Sequence, residues 1–178
     1  MPGPVFRRGE RIELRTIEPE DAEFLQRLVN DPRVRSGIAA VDPVTGPQER
    51  EWVESIGEDD ATKLLVCRDG EPVGTISLEP VNEVWGVGEL GYMIAPSEWN
   101  NGYATDAVRT MCGYAFEERR VAKVAASVYE SNPASARALE KVGFTEEARL
   151  RAEAFVAGER VDLLRYGLLA TEWGERSE

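Results

Sequence analysis

The sequence predicts an α/β fold of about seven strands and about four helices, and three observations carry that expectation. Segments with period-two alternation and segments with an apolar residue every third or fourth position succeed one another from residue 11 to residue 169. Glycine, proline and Asn/Asp clusters punctuate their boundaries. The 178 residues are 42% hydrophobic, which suits one globular domain with a substantial core, and no repeat or low-complexity linker divides them.

Arg11 to Ile17 alternates and reads as the first strand. Glu18-Pro19-Glu20-Asp21 then opens a helix. Proline suits a first turn that needs no N–H, and acids suit the positive end of the dipole. Ala22, Leu25, Leu28 and Val29 form its inner face, and Asn30-Asp31-Pro32 stops it. Arg33 to Gly46 has no period and reads as a loop with at most one helical turn. Pro47 to Ile56 is a short amphipathic helix with Trp52, Val53 and Ile56 inward. Thr62 to Arg68 and Pro72 to Leu78 are strands joined by Asp69-Gly70, a strong hairpin signal. A looser segment, Pro80 to Gly88, follows.

The next stretch organises the chain. Along Glu89 to Ile94, Leu90, Tyr92 and Ile94 share one face of a strand, and Glu89, Gly91 and Met93 share the other. Pro96 ends it, because proline cannot donate to a ladder. Ala104, Ala107, Val108, Met111, Cys112, Ala115 and Phe116 then mark a one-sided helix of about four turns. The loop between strand and helix ends at Gly102, where free backbone N–H groups at a helix N-terminus suit an anion. Val121 to Tyr129 is a strand. Asn132 caps a further helix with Pro133 at its first position, and Gly143 closes it. Phe144 to Val156 and Arg160 to Leu169 are two strands around Ala157-Gly158-Glu159. Only the first and last few residues look frayed.

Composition removes several functions. The chain contains no histidine, which excludes Ser-His-Asp and Cys-His mechanisms and the usual zinc sites. Cys67 and Cys112 lie in apolar patterns without an activator, so two buried thiols are expected rather than a disulfide or a nucleophile. No apolar run approaches the roughly 20 residues that span a bilayer, and the N-terminus lacks a signal-peptide core, so a cytoplasmic protein without membrane association is expected. With 21 basic and 33 acidic residues the net charge is −12, and lysine occurs only at Lys63, Lys123 and Lys141. No basic stripe exists for nucleic acid. An acidic surface suited to high salt and an acidic cleft for a cationic substrate both fit. The spread of acids along the chain favours the first.

Four segments in order resemble the GNAT acyl-CoA N-acetyltransferases, closest to their RimJ/RimL-like, ribosomal-protein-alanine branch. They are Leu14 to Ala22, Asn100 to Ala107, Asn132 to Ser135 running on to Leu139 to Phe144, and Gly158 to Tyr166. Together they cover residues 11–170, the core of one domain expected to occupy 1–178. The resemblance implies a mixed, mostly antiparallel, twisted central sheet, with acetyl-CoA as co-substrate and no metal. The superfamily loop, Gln/Arg-x-x-Gly-x-Gly/Ala, falls on Trp99, Asn100, Asn101, Gly102, Tyr103 and Ala104, with Thr105 following. Trp99 departs from the superfamily but is usual in the branch. Asn100 and Asn101 are neutral where a lysine or arginine is common, so the pyrophosphate is expected to rely on backbone N–H groups and the helix dipole.

The resemblance lays pantetheine along the strand at Met93 and Ile94, where a backbone N–H serves the oxyanion. It makes Glu89 the candidate base, directly or through water, with Glu83, Asp162 or water alone as alternatives. Ser135 aligns with the serine that protonates the thiolate, and Asn132 adds a contact to the CoA arm. Tyr129 and Tyr166 are more often core positions. The implied reaction is direct acetyl transfer to a primary amine, small molecule or peptide, with a protein N-terminus among the acceptors. Polyamine and aminoglycoside acetylation, and a non-catalytic acyl-CoA-binding module, are the alternatives. Monomer and homodimer both remain open.

Overall fold

The computed structural model describes residues 2–174. The chain forms β1 (Val5–Arg8), β2 (Glu13–Arg15), a 3-10 turn (Pro19–Asp21), α1 (Ala22–Asn30), α2 (Pro32–Arg35) and α3 (Gly46–Glu54). Then come β3 (Thr62–Arg68), β4 (Glu71–Asn82), β5 (Val87–Ile94), a second 3-10 turn (Pro96–Glu98), α4 (Tyr103–Glu117) and β6 (Lys123–Tyr129). α5 (Pro133–Val142), β7 (Thr145–Val156), β8 (Glu159–Leu169) and α6 (Ala170–Gly174) complete it.

Local chemistry explains most boundaries. The Glu18 N–H donates to Asp21 Oδ2 at 2.8 Å, closing the start of the first helical segment. Thr45 and Gln48 form a reciprocal capping box at α3. Asp69 (φ 50°) and Gly70 (φ 84°) both take left-handed backbone, as a tight hairpin requires. At α5, Asn132 Oδ1 accepts from the Ser135 N–H at 3.3 Å.

The sheet has the order β1-β2-β3-β4-β5-β6-β8-β7. Every neighbouring pair is antiparallel except β5–β6, which is parallel because α4 crosses between them. The expected mixed, mostly antiparallel α/β sheet therefore forms, with eight strands rather than about seven. The added strand is β1, in the stretch that read as frayed: backbone pairing to β2 orders it although its sequence carries no strand period. α6 is added likewise at the other end, where Trp173 packs on Phe116.

The apolar run of β3 splits between two layers. Leu64 and Val66 join the main core beneath α4 and α5, with Ile76, Leu90, Val108, Met111 and Leu139. Leu65 and Cys67 face the other way, against Ala22, Leu25 and Val53 of α1 and α3. Helices cover both faces there, so β3 is apolar on both sides.

Candidate active site

The β5–α4–β6 unit builds the site. β5 and β6 pair only from Val87 opposite Lys123 to Glu89 opposite Ala125. Beyond Glu89, β5 stays with β4 while β6 continues against β8 as far as Tyr129, so the two strands part. The Ala95 N–H donates to the Val73 carbonyl at 2.8 Å, which sets the phase of the β4–β5 ladder. Gly91 and Met93 therefore direct their peptide groups at β4, while those of Tyr92 and Ile94 point into the gap. Of the two residues expected to hold a pantetheine arm, only Ile94 turns its amide toward it, and Met93 offers a side chain instead. The Ile94 carbonyl is engaged by Trp99 Nε1 at 2.8 Å, which leaves the Ile94 N–H as the free group of that peptide edge.

Trp99 to Gly102 turns into α4. Asn100 (φ 63°) and Gly102 (φ 78°) are both left-handed, a region asparagine tolerates and glycine enters without strain. No side chain caps α4, and its first hydrogen bond runs from the Asp106 N–H to the Gly102 carbonyl at 3.0 Å. The amides of Tyr103, Ala104 and Thr105 thus lie outside the helical ladder at its positive end.

Asn100 and Asn101 bring no charge, but two guanidinium groups reach the loop, Arg11 from the β1–β2 turn and Arg68 from β3. Arg11 Nη1 donates to the Asn101 carbonyl at 3.2 Å and lies beside Gly102. Arg68 bonds the Tyr103 hydroxyl, and its guanidinium carbon sits 5.5 Å from the centre of that ring. Asp106 fixes the turn that carries Arg11. Its carboxylate, in the first turn of α4 and 3% exposed, accepts from the backbone N–H groups of Glu10, Arg11 and Ile12 at 3.2, 2.7 and 3.1 Å. Beside the backbone N–H groups on which the sequence mainly relied, the fold thus brings positive charge to this loop, Arg11 from 90 residues away in the chain, where no local pattern links it to the loop.

The expected catalytic residues stand on opposite faces of the sheet, as the alternation along β5 requires. On the α4/α5 face, Tyr92 and Ser135 meet with their hydroxyl oxygens 2.6 Å apart. Burial pushes the Tyr92 hydroxyl above the usual tyrosine range, so it stays protonated. Sequence reasoning passed over this contact of Tyr92 with Ser135, since a strand aromatic on an apolar face reads as core. On the other face, where the gap opens, Glu89 receives both prongs of Arg165, at 2.7 and 3.2 Å. Ser127 Oγ donates to the same Glu89 oxygen at 3.1 Å. The Glu89 side chain keeps 32% of its surface exposed, enough for a ligand to reach it.

The alternatives separate clearly. Glu83 lies exposed in the β4–β5 turn, at the far end of β5 from Ile94. Asp162 accepts from the Ala152 N–H at 2.8 Å and from Arg149 at 3.2 Å, and these two bonds hold its carboxyl below the usual range. Tyr166 is a core residue whose hydroxyl donates to Glu140 at 3.0 Å. Tyr129 ends β6 beside the gap, half-buried. The loop from Arg33 to Gly46 also borders the site: a Cβ on Gly37 would lie 2.9 Å from Asn132 Nδ2. A recess of about 250 Å³ lined by Leu78, Glu83 and Arg119 contains, of the candidate residues, only the alternative base Glu83.

Residues 11–145 match the family model described as an acetyltransferase (GNAT) domain. The chain belongs to the GNAT acetyltransferase family. It is 34% identical over 177 residues to the Bacillus subtilis (strain 168) protein named "Putative ribosomal N-acetyltransferase YdaF", covering 94% of this chain and 97% of that one. This agrees with the RimJ/RimL-like branch. It is also 25% identical over 172 residues to a spermidine N(1)-acetyltransferase of Vibrio cholerae, covering 96% and 99% of the two chains. The crystal structure of spermidine N-acetyltransferase from Vibrio cholerae in complex with CoA and spermine superposes with a TM-score of 0.85 at 23% identity, over 92% of this chain and 98% of that one. This GNAT protein is accordingly an acyltransferase of the N-acetyltransferase type. Among its described residues no helix is long and apolar enough to cross a membrane.

Proposed function

We propose that this GNAT enzyme transfers an acetyl group from acetyl-CoA to a primary amine, by direct attack in a ternary complex, with a protein N-terminus among its acceptors. One observation carries the reading: β5 and β6 part at Glu89, leaving a slot with Glu89 on one face and the Tyr92–Ser135 pair on the other. The chain's residues suit acetyl-CoA. The uncapped amides of Tyr103, Ala104 and Thr105, flanked by Arg11 and Arg68, would take the pyrophosphate. The Ile94 N–H, Asn132 and the peptide edge of Tyr92 would hold the pantetheine arm.

Acetyl-CoA supplies the thioester carbonyl. Glu89, directly or through one water, takes a proton from the acceptor ammonium. The Ile94 N–H faces the gap where an oxyanion needs a donor. The N–C bond forms first; as the C–S bond then breaks, Ser135, backed by Tyr92, gives a proton to the sulfur and regains one from the new amide nitrogen, which sheds its second proton. The domain spans the chain and acts in the cytoplasm without metal, nucleic acid or membrane, as a monomer or homodimer.

A polyamine acceptor is the second reading, favoured by the likeness to the spermidine enzyme. The test is acetyl-CoA-dependent thermal stabilisation, followed by CoA release with N-terminal peptides, spermidine and aminoglycosides at low and molar salt. Saturable stabilisation and turnover with an amine are expected. Binding without turnover on any amine would leave an acyl-CoA-binding module, and no binding at any salt would sink the proposal.

A further inference from the structure

We infer that the acceptor carries a carboxylate close to its reactive amine, and that Arg165 recognises it. This rests on the acetyltransferase reading above. The base candidate is not free in the structure. Glu89 holds a two-pronged pair with Arg165, and Ser127 Oγ bridges the two, donating to Glu89 and accepting from Arg165. Both oxygens of this carboxylate are therefore already engaged by the guanidinium fork and the serine hydroxyl, and neither is open to an incoming ammonium. For Glu89 to take a proton, Arg165 needs another anion.

The geometry points to the acceptor as that anion's source. Arg165 lies on β8 and Glu89 on β5, with Ser127 of β6 between them, all on the sheet face opposite Tyr92 and Ser135. Both side chains keep about a third of their surface exposed, at 34% and 32%, so an incoming molecule meets both at once. Across the β4–β5 ladder, Glu79 stands directly opposite Glu89, is exposed, and forms no ion pair among the described residues. Like charges placed so repel. An ammonium seated between Glu79 and Glu89 relieves that repulsion, while a carboxylate a few bonds away takes the Arg165 fork. Planar two-pronged recognition of carboxylate is what guanidinium does best. Other charged groups on this face already have partners: Lys123 pairs with Glu147 at 2.5 Å, Lys63 with Asp59 at 2.6 Å and Arg15 with Glu13 at 2.6 Å.

The exchange then activates the base. The acceptor carboxylate replaces Glu89 on Arg165, and the Glu89 oxygens are freed to face the ammonium. The ammonium proton passes to a Glu89 oxygen, leaving a neutral amine and a carboxylic acid. An amine without a carboxylate leaves the pair closed. Two sources share this chemistry: a free amino acid, and a peptide or protein opening on an acidic residue.

The test measures CoA release and acetylated product mass for matched acceptors. One arm compares amino acids with the amines made by decarboxylating them. A second compares peptides opening on Asp with the same peptides opening on Asn. A third uses spermidine. The wild type is expected to favour the carboxylate-bearing member of at least one matched series by about tenfold or more in kcat/KM, the size of one charge-assisted contact. Which series responds identifies the source. Arg165→Gln is expected to erase the preference, and Arg165→Lys, which keeps the charge without the fork, to retain part of it. Equal use of matched acceptors, a preference for spermidine, or an unchanged preference in Arg165→Gln overturns the inference while acetyl-CoA stabilisation and transfer keep the enzyme reading. If Arg165→Gln does not fold, Arg165→Lys and the wild-type comparison decide. Absence of acetyl-CoA binding overturns both.

Discussion

The Tyr92 hydroxyl lies 2.6 Å from the Ser135 hydroxyl and 3.3 Å from the Ser135 carbonyl, joining β5 to the first turn of α5 across the gap. The serine N–H is tied in turn to Asn132 Oδ1. Tyr92 is kept protonated by burial, its O–H donates to the Ser135 carbonyl, and either hydroxyl can donate in the contact between Tyr92 and Ser135 Oγ, so the pair can pass a proton between them. Ser135→Ala is expected to lower kcat about 100-fold and Tyr92→Phe roughly tenfold, within the range of positioned proton donors. Acetyl-CoA stabilisation should stay near the wild-type value in both. Full turnover in both variants would remove the pair from the mechanism.

Asp106 couples the fold to the loop that precedes α4. Asp106→Ala deprives three backbone N–H groups of their acceptor and is expected to cost about 2–4 kcal/mol, read from urea unfolding. It also frees the turn bearing Arg11. Acetyl-CoA affinity should therefore fall in this variant, and fall in Arg11→Ala without a comparable loss of stability. Unchanged affinity in Arg11→Ala would show that the guanidinium does not serve the cofactor.

Both cysteines should be silent toward alkylating reagents in the folded enzyme. Burial pushes the Cys67 thiol up to about 12 and pushes Cys112 further in the same direction. Neither forms a thiolate at pH 8. Intact-mass analysis after iodoacetamide treatment should find no adduct on the native protein and two after denaturation in guanidinium. Native labelling would mean that the layer between α1, α3 and β3, or the core beneath α4, opens readily.

Glu49 of α3 is only 7% exposed, and burial raises its carboxyl above the ordinary glutamate range. The sign is the reverse of a salt-bridged acid. The folded state holds this proton more tightly than the unfolded chain, so the group costs stability once pH rises above the ordinary value and the carboxyl ionises inside the fold. Glu49→Gln should raise Tm at neutral pH, and the gain should vanish as pH falls through the ordinary glutamate range. A lower Tm at neutral pH would assign the charged carboxylate a stabilising partner.

How much of this was legible in the chain depends on distance along it. Hairpin, caps and strand faces rest on neighbours within a few residues: Asp69 beside Gly70, Asn132 three before Ser135, Leu90-Tyr92-Ile94 by alternation. Such signals survive without tertiary context, and they placed Glu89 and Ser135 on the elements they occupy. β1 escaped because its order comes from pairing with β2 rather than from its own pattern.

By itself, then, the sequence determined the element order, the glycine turn ahead of α4, and a chemistry without histidine. Tertiary structure alone decided which side chains meet. Arg165 reaches Glu89 across 76 positions, Tyr92 reaches Ser135 across 43, and Asp106 gathers the Arg11 turn across 95. These contacts exist because β8 inserts between β6 and β7 and because β5 parts from β6, and neither pairing leaves a trace in any short stretch of residues. Periodicity reports which face a side chain takes. Only the completed sheet settles what stands opposite it.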